Sequence, residues 1–205
     1  MLLSDEGETP PIFPVVCIGG SAGSLSAYIK ILRQIRVNVG MAVVIVSHRP
    51  MGDSGQFTAL LAKTTHMEVI EVTDGMLLER GRIFVAPPHR EITTDGVALR
   101  ISVGLTENHG WPTLISQFLF SLASSCTSRA IAIIVSGAGY DGSCALAAVK
   151  EGGGWTLAQS DAEYLDMPQA AIDTNNVDFV LRAEEIGKYL ASLNAHLPPR
   201  RVQPI

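Results

Sequence analysis

Residues 15–24 read VVCIGGSAGS, four apolar residues running into a turn of glycine, serine and alanine. A continuous apolar run this short suits a strand buried on both faces, and the small residues after it suit a tight turn opening a helix. Further apolar runs follow at 42–46 (AVVIV) and 130–135 (AIAIIV), each leading into a turn. Strands covered on both faces belong to parallel sheets, because a parallel crossover needs a helix to bring the chain back. The pattern therefore predicts an α/β fold: three layers, doubly wound, around a mostly parallel sheet. Between 67 and 102 the texture changes. Asp74-Gly75, Arg80-Gly81 and Asp95-Gly96 are turn signals separating short segments, read as a β-hairpin insertion near the sheet edge. Alternation then resumes with a helix over 113–124, a strand ending near Ser136, a helix beginning near Asp141 and strands over 155–158 and 177–181. The spacing of Ile186, Tyr189, Leu190 and Leu193 predicts an amphipathic terminal helix.

Composition narrows the class of protein. The 205 residues are 47% hydrophobic, enough for one substantial core, so the expected plan is a lead-in over 1–14, one domain over 15–195 and a tail over 196–205. The net charge is -5 and the 15 Lys and Arg residues form no long basic block, which argues against a nucleic-acid partner. Cys17, Cys126 and Cys144 lack both zinc spacing and the even count of a disulfide framework, and a cytoplasmic setting fits them best. No apolar run reaches the roughly 20 residues of a membrane span, so membrane insertion is not expected.

Open parallel sheets carry their sites at the carboxyl ends of the strands. The loop after the first run holds Ser21 at the entrance to a helix, where free amides can meet a developing anion. The loop after the second run holds His48, an imidazole able to take and return a proton at working pH. The loop after the third, SGAGYDGS (136–143), holds Asp141. Taken singly, these are a glycine turn or phosphate cradle, a surface histidine and a helix N-cap. Taken together, a nucleophile, a base and an orienting carboxylate meet the requirements of acyl transfer in any chain order. His66, His89, His109 and His196 are weaker candidates, of which His89 and His109 can line a pocket.

Several longer stretches are similar to the catalytic domain of the chemotaxis protein-glutamate methylesterases, the CheB family. They are GGSAGS (19–24), the strand ending in Ser47-His48, GRIFVAPPHREI (81–92), SGAGYDGSCALAAVKEGGGWTLAQ (136–159) and MPQAAI (167–172). The resemblance implies a serine hydrolase with Ser21, His48 and Asp141 as its triad and no metal or organic cofactor. It also implies methyl esters of glutamate on chemoreceptor cytoplasmic helices as substrate, with glutamine deamidation in many members. Fused or separate regulatory domains are the other partners it implies. The chain departs from the family at Ala22, Ser24 and Ala138, and at Trp111, which stands where an arginine is usual. The backbone amides of Ala22 and Ala138 remain the oxyanion candidates, since a backbone donor does not depend on its side chain. The family's receiver domain does not precede the first strand, so activity independent of a phosphodonor is expected. The alternatives are an esterase or amidase of a small molecule, and a non-catalytic phosphate- or nucleotide-binding module. The last lacks both GxGxxG and a P-loop lysine.

Overall fold

The computed structural model describes residues 13–36, 39–50, 55–102 and 113–193. Their elements run β1 (Val15–Gly20), α1 (Ser24–Leu32), β2 (Ala42–Ser47), α2 (Gln56–Ala62), β3 (Glu68–Glu71), β4 (Met76–Leu77), β5 (Arg82–Val85), β6 (Ile92–Thr94) and β7 (Ala98–Ile101). They continue through α3 (Leu114–Cys126), β8 (Ala130–Ile134), α4 (Leu146–Glu151), β9 (Trp155–Gln159), α5 (Asp166–Asp173), β10 (Phe179–Leu181) and α6 (Ala183–Ser192).

Seven strands form a parallel sheet in the order β10-β9-β8-β1-β2-β5-β3. The continuous apolar runs resolve into two faces because successive strand side chains point opposite ways. Val15, Cys17, Val44, Val46, Ala132 and Ile134 pack into one core with α3, α4 and α5. Val16, Ile18, Val43, Ile45, Ile131 and Ile133 pack into the other with α1 and α6 and with Leu61 of α2. Both layers of side chains are fully or almost fully buried, and each such Val, Ile or Leu contributes about 1.5–3 kcal/mol by leaving water.

The hairpin insertion expected over 67–102 needs correction. The hairpin itself exists, as β6 and β7 paired antiparallel about Asp95-Gly96, and β4 joins them in a separate three-stranded sheet. However, β3 and β5 belong to the parallel sheet, with Val43 opposite Ile83 and Val69 also opposite Ile83. Their crossover contains β4 rather than a helix, so the helix-by-helix alternation that marks the rest of the chain is missing there. The small sheet lies against α3: the Thr94 amide donates to Ser121 Oγ at 3.1 Å.

The helix expected from Asp141 also begins later. A 3-10 turn over Ser143–Ala145 precedes α4, so Asp141 does not cap the helix that follows it. The helices α2 and α5 complete the layers.

Candidate active site

The strand order reverses beside β1: the chain moves outward through β2 and β5, then returns to β8 on the other flank of β1. The helix after β1 packs on one face of the sheet and the helix after β8 on the other, so the two loops diverge at the strand ends, where open parallel sheets carry their sites. Ser21 follows β1, the central strand of this trio. His48 follows β2 and Asp141 lies on the loop after β8, one to each side. Their side chains nevertheless meet, with His48 Nε2 2.8 Å from Asp141 Oδ2, so the pair spans the end of β1. The strand registers hold the first two loops together: Gly20 pairs with Ser47, and the His48 amide donates to the Gly20 carbonyl at 3.2 Å.

Asp141 is one of the most fully engaged side chains in the chain. Oδ2 accepts His48 Nε2 and the Ile115 amide at 2.9 Å, while Oδ1 accepts the Ser116 amide at 3.0 Å and Ser116 Oγ at 2.6 Å. Ile115 and Ser116 lie in the first turn of α3, whose N-cap residue Thr113 makes no side-chain cap bond. A carboxylate from a distant loop thus fills the capping role and faces the positive end of the helix dipole. Burial pushes the Asp141 carboxyl upward, but the bonds from His48, Ser116 and the two amides outweigh burial and hold it below the ordinary carboxylate range. It is therefore ionised and acceptor-only, which requires His48 to carry its proton on Nε2 and leaves Nδ1 as the basic nitrogen.

The turn that carries Ser21 is tied down on three sides. The Ser21 amide donates to the Ser136 carbonyl at 2.9 Å, and Ser24 Oγ donates to the Ser21 carbonyl at 2.5 Å. Ser136 Oγ donates to the Ala22 carbonyl at 2.8 Å and accepts the Tyr164 amide at 2.9 Å. Gly23 closes the turn at φ 70, a left-handed conformation that L side chains rarely adopt. Gly137 is glycine for a different reason: a Cβ there would lie 2.0 Å from Met167 Sδ and 2.9 Å from Ser21 Cβ. Loop β1–α1 and loop β8–α4 therefore touch directly at Ser21. Among the described residues, the amides of Ala22 and Ala138 donate to no protein acceptor.

Sequence reasoning missed the residues that brace this arrangement. Ser116 sits mid-pattern in a serine-rich helix, and only the fold brings it to Asp141. Arg49, next to His48, is buried; its guanidinium donates to the Ala86 carbonyl at 2.5 Å and lies 4.4 Å from the centre of the Phe57 ring. Gln159 accepts the Ser136 amide at 3.0 Å and donates to Asp161 at 3.0 Å, linking the third loop to α6 through the Ala183 amide. Of the other histidines, His66 is exposed before β3, and His89 is partly buried at φ 54 after β5. His109, His196 and Trp111 lie outside the described residues. The Cys17 thiol is driven well above its ordinary range by burial and then by the Asp141 charge, so it stays protonated. Among the described residues no cluster of His, Cys, Asp and Glu is arranged to hold a metal, and no helix is long and apolar enough to cross a membrane.

Known proteins share both sequence and fold with this chain. The profile of the CheB methylesterase family matches residues 16–190. A protein-glutamate methylesterase/protein-glutamine glutaminase of Anaeromyxobacter dehalogenans is 37% identical over 179 residues, covering 82% of this chain and 50% of that protein. One from Moorella thermoacetica is 31% identical over 193 residues, covering 91% and 45%. A putative one from Leptospira interrogans is 30% identical over 186 residues and is covered for 95% of its length. The chain thus spans about half the length of the first two relatives and nearly all of the third. The Thermotoga maritima CheB methylesterase catalytic domain superposes with a TM-score of 0.81 at 26% identity, covering 87% of this chain and 97% of that one. With the fold and the matched span in agreement, the chain belongs to the CheB methylesterase family.

Proposed function

We propose that this chain hydrolyses methyl esters on glutamate side chains of chemoreceptors, with Ser21 as nucleophile, His48 as general base and Asp141 as the residue that orients the base. The observation that carries the reading is the 2.8 Å bond between His48 and Asp141, spanning the end of the strand that delivers Ser21. Attack of Ser21 Oγ on the ester carbonyl passes its proton to His48 Nδ1 and forms a tetrahedral oxyanion. The unpaired amides of Ala22 and Ala138 are the donors for that charge, Ala22 lying directly before Gly23, the N-cap of α1. Collapse expels methanol, which takes its proton from the imidazolium, and leaves an acyl-serine. Water, deprotonated by the same imidazole, then releases the glutamate carboxylate and restores Ser21. Asp141 stays ionised throughout and stabilises the imidazolium.

The relatives' names include protein-glutamine glutaminase. The same steps on a primary amide expel ammonia, with the His48 imidazolium supplying the proton that this poorer leaving group needs. Glutamine deamidation is therefore the second reaction proposed for this site.

The direct test is methanol release from a methylated chemoreceptor cytoplasmic domain. Wild type is expected to release it and Ser21→Ala is not. A protein that labels at Ser21 with a fluorophosphonate yet spares the receptor ester would keep the serine hydrolase and move its substrate to a small ester.

A further inference from the structure

We propose that Ser116 is a positioning residue for the reaction, its hydroxyl fixing which oxygen of Asp141 is presented to His48. The hydroxyl is surrounded on every side. Its oxygen accepts the Gly142 amide at 2.8 Å and lies 3.4 Å from Cys144 Sγ, a weak donor. A serine hydroxyl has two lone pairs and one proton, so with both lone pairs engaged the proton has one destination, Asp141 Oδ1 at 2.6 Å. The amide of the same residue reaches the same oxygen at 3.0 Å. Oδ1 is thereby filled by one residue, and Oδ2 is left for Ile115 and His48.

This arrangement is more than a helix cap. A cap needs the amides of α3, which Asp141 would still hold if Ser116 were alanine. What alanine removes is the shorter of the two bonds that hold Oδ1 against turning about the Cβ–Cγ axis, together with the acceptor for the buried Gly142 amide beside it. The carboxylate that orients His48 is then held by the two amides of Ile115 and Ser116 alone. The inference depends on the reading of Ser21, His48 and Asp141 given above.

The titratable and charged groups around the His48–Asp141 pair come from several elements. Cys17 on β1 is held protonated, Arg49 after β2 is turned to the Ala86 carbonyl and Phe57, and Cys144 and Tyr140 flank Asp141 on the loop after β8. Close to Asp141, α3 contributes only the amides of Ile115 and Ser116 and the Ser116 hydroxyl. A hydroxyl donating to the carboxylate favours its charged form, and without that bond the carboxylate holds the imidazolium proton more tightly.

The experiment is methanol release from methylated chemoreceptor cytoplasmic domain across a pH series, with folded protein counted by circular dichroism. For Ser116→Ala, kcat per folded molecule is expected to fall roughly tenfold with KM within about twofold, and the acid limb of kcat/KM to move up by about half a pH unit or more. Ser116→Thr, which keeps the hydroxyl, should return both to within about threefold of wild type. An unchanged acid limb in Ser116→Ala, or Ser116→Thr as impaired as Ser116→Ala, overturns the inference. If Ser116→Ala does not fold, Ser116→Cys carries the test: a thiol is a weak donor, so it should reproduce the loss, and wild-type kinetics there overturn the inference. His48→Ala in the same series separates the two levels. Full turnover in His48→Ala ends the triad reading and this inference with it, while an inactive His48→Ala beside an unaltered Ser116→Ala ends the inference alone.

Discussion

Asp141→Asn replaces one oxygen by an NH2 group at a point where donors from His48, Ile115 and Ser116 converge. The amide oxygen offers two lone pairs where the carboxylate offers about four, so half of the donors lose their acceptor in either orientation. With the oxygen toward Ser116, the NH2 faces His48, which must then accept at Nε2 and carry its proton on Nδ1, the nitrogen that deprotonates Ser21 in the proposed mechanism. With the oxygen toward His48, the NH2 confronts the Ser116 amide and hydroxyl at the 3.0 and 2.6 Å positions now held by Oδ1. The second orientation sacrifices bonds to a charged acceptor worth about 1.5–3 kcal/mol each, so the tautomer-inverting one should dominate and still cost stability. The expected outcome is a loss of about 2–4 kcal/mol in urea unfolding and a fall of roughly 10³–10⁴-fold in kcat per folded molecule. Circular dichroism gives the folded fraction and methanol release gives the rate. A folded Asp141→Asn protein that keeps more than about a tenth of wild-type turnover would refute the reasoning, because it would reduce Asp141 to a cap for α3.

Other consequences follow from packing and charge. Gly137→Ala sets a methyl against the buried Met167 Sδ at 2.0 Å and against Ser21 Cβ, so it should cost about 1–3 kcal/mol and also disturb turnover, read from unfolding and rate together. Gly187→Ala in α6 meets the Ile31 carbonyl at 2.5 Å and Gln34 Cβ at 2.8 Å; it should destabilise by about 1–3 kcal/mol in urea while the folded molecules keep their kcat, because α1 and α6 meet there away from the strand ends. The Asp141 carboxyl lies lower in the folded chain than in the unfolded one, where it sits at about 3.9. Its contribution to stability is therefore complete above that value and is lost as pH falls through the lower folded value, so acid titration of stability should flatten in this window in Asp141→Asn.

The sequence makes the core strands plain because β1, β2 and β8 are buried on both faces and read as unbroken apolar runs. The three loops that carry Ser21, His48 and Asp141 are equally plain, since each follows such a run. What the sequence hides is anything that depends on which strand lies beside which. Val69 and Ile83 carry no helix between them to announce a parallel crossover, so β3 and β5 look like hairpin strands from their turn signals alone. Asp141 looks like the cap of its own following helix, yet its carboxylate caps α3, twenty-five residues upstream of it at Ser116. Ser116 itself has no local signal: it is one of several serines along α3, and its role appears only when the loop after β8 folds back onto the first turn of the helix.

The measurement that bears most directly on the central claim is a double-mutant cycle on Ser21 and His48, with methanol release from methylated chemoreceptor cytoplasmic domain as the readout. If the two residues serve one proton transfer, Ser21→Ala and His48→Ala each bring the rate close to background, and the double variant is hardly slower than either single one. Losses that multiply in the double variant, or a Ser21→Ala protein that still releases methanol at the wild-type rate, would contradict the account.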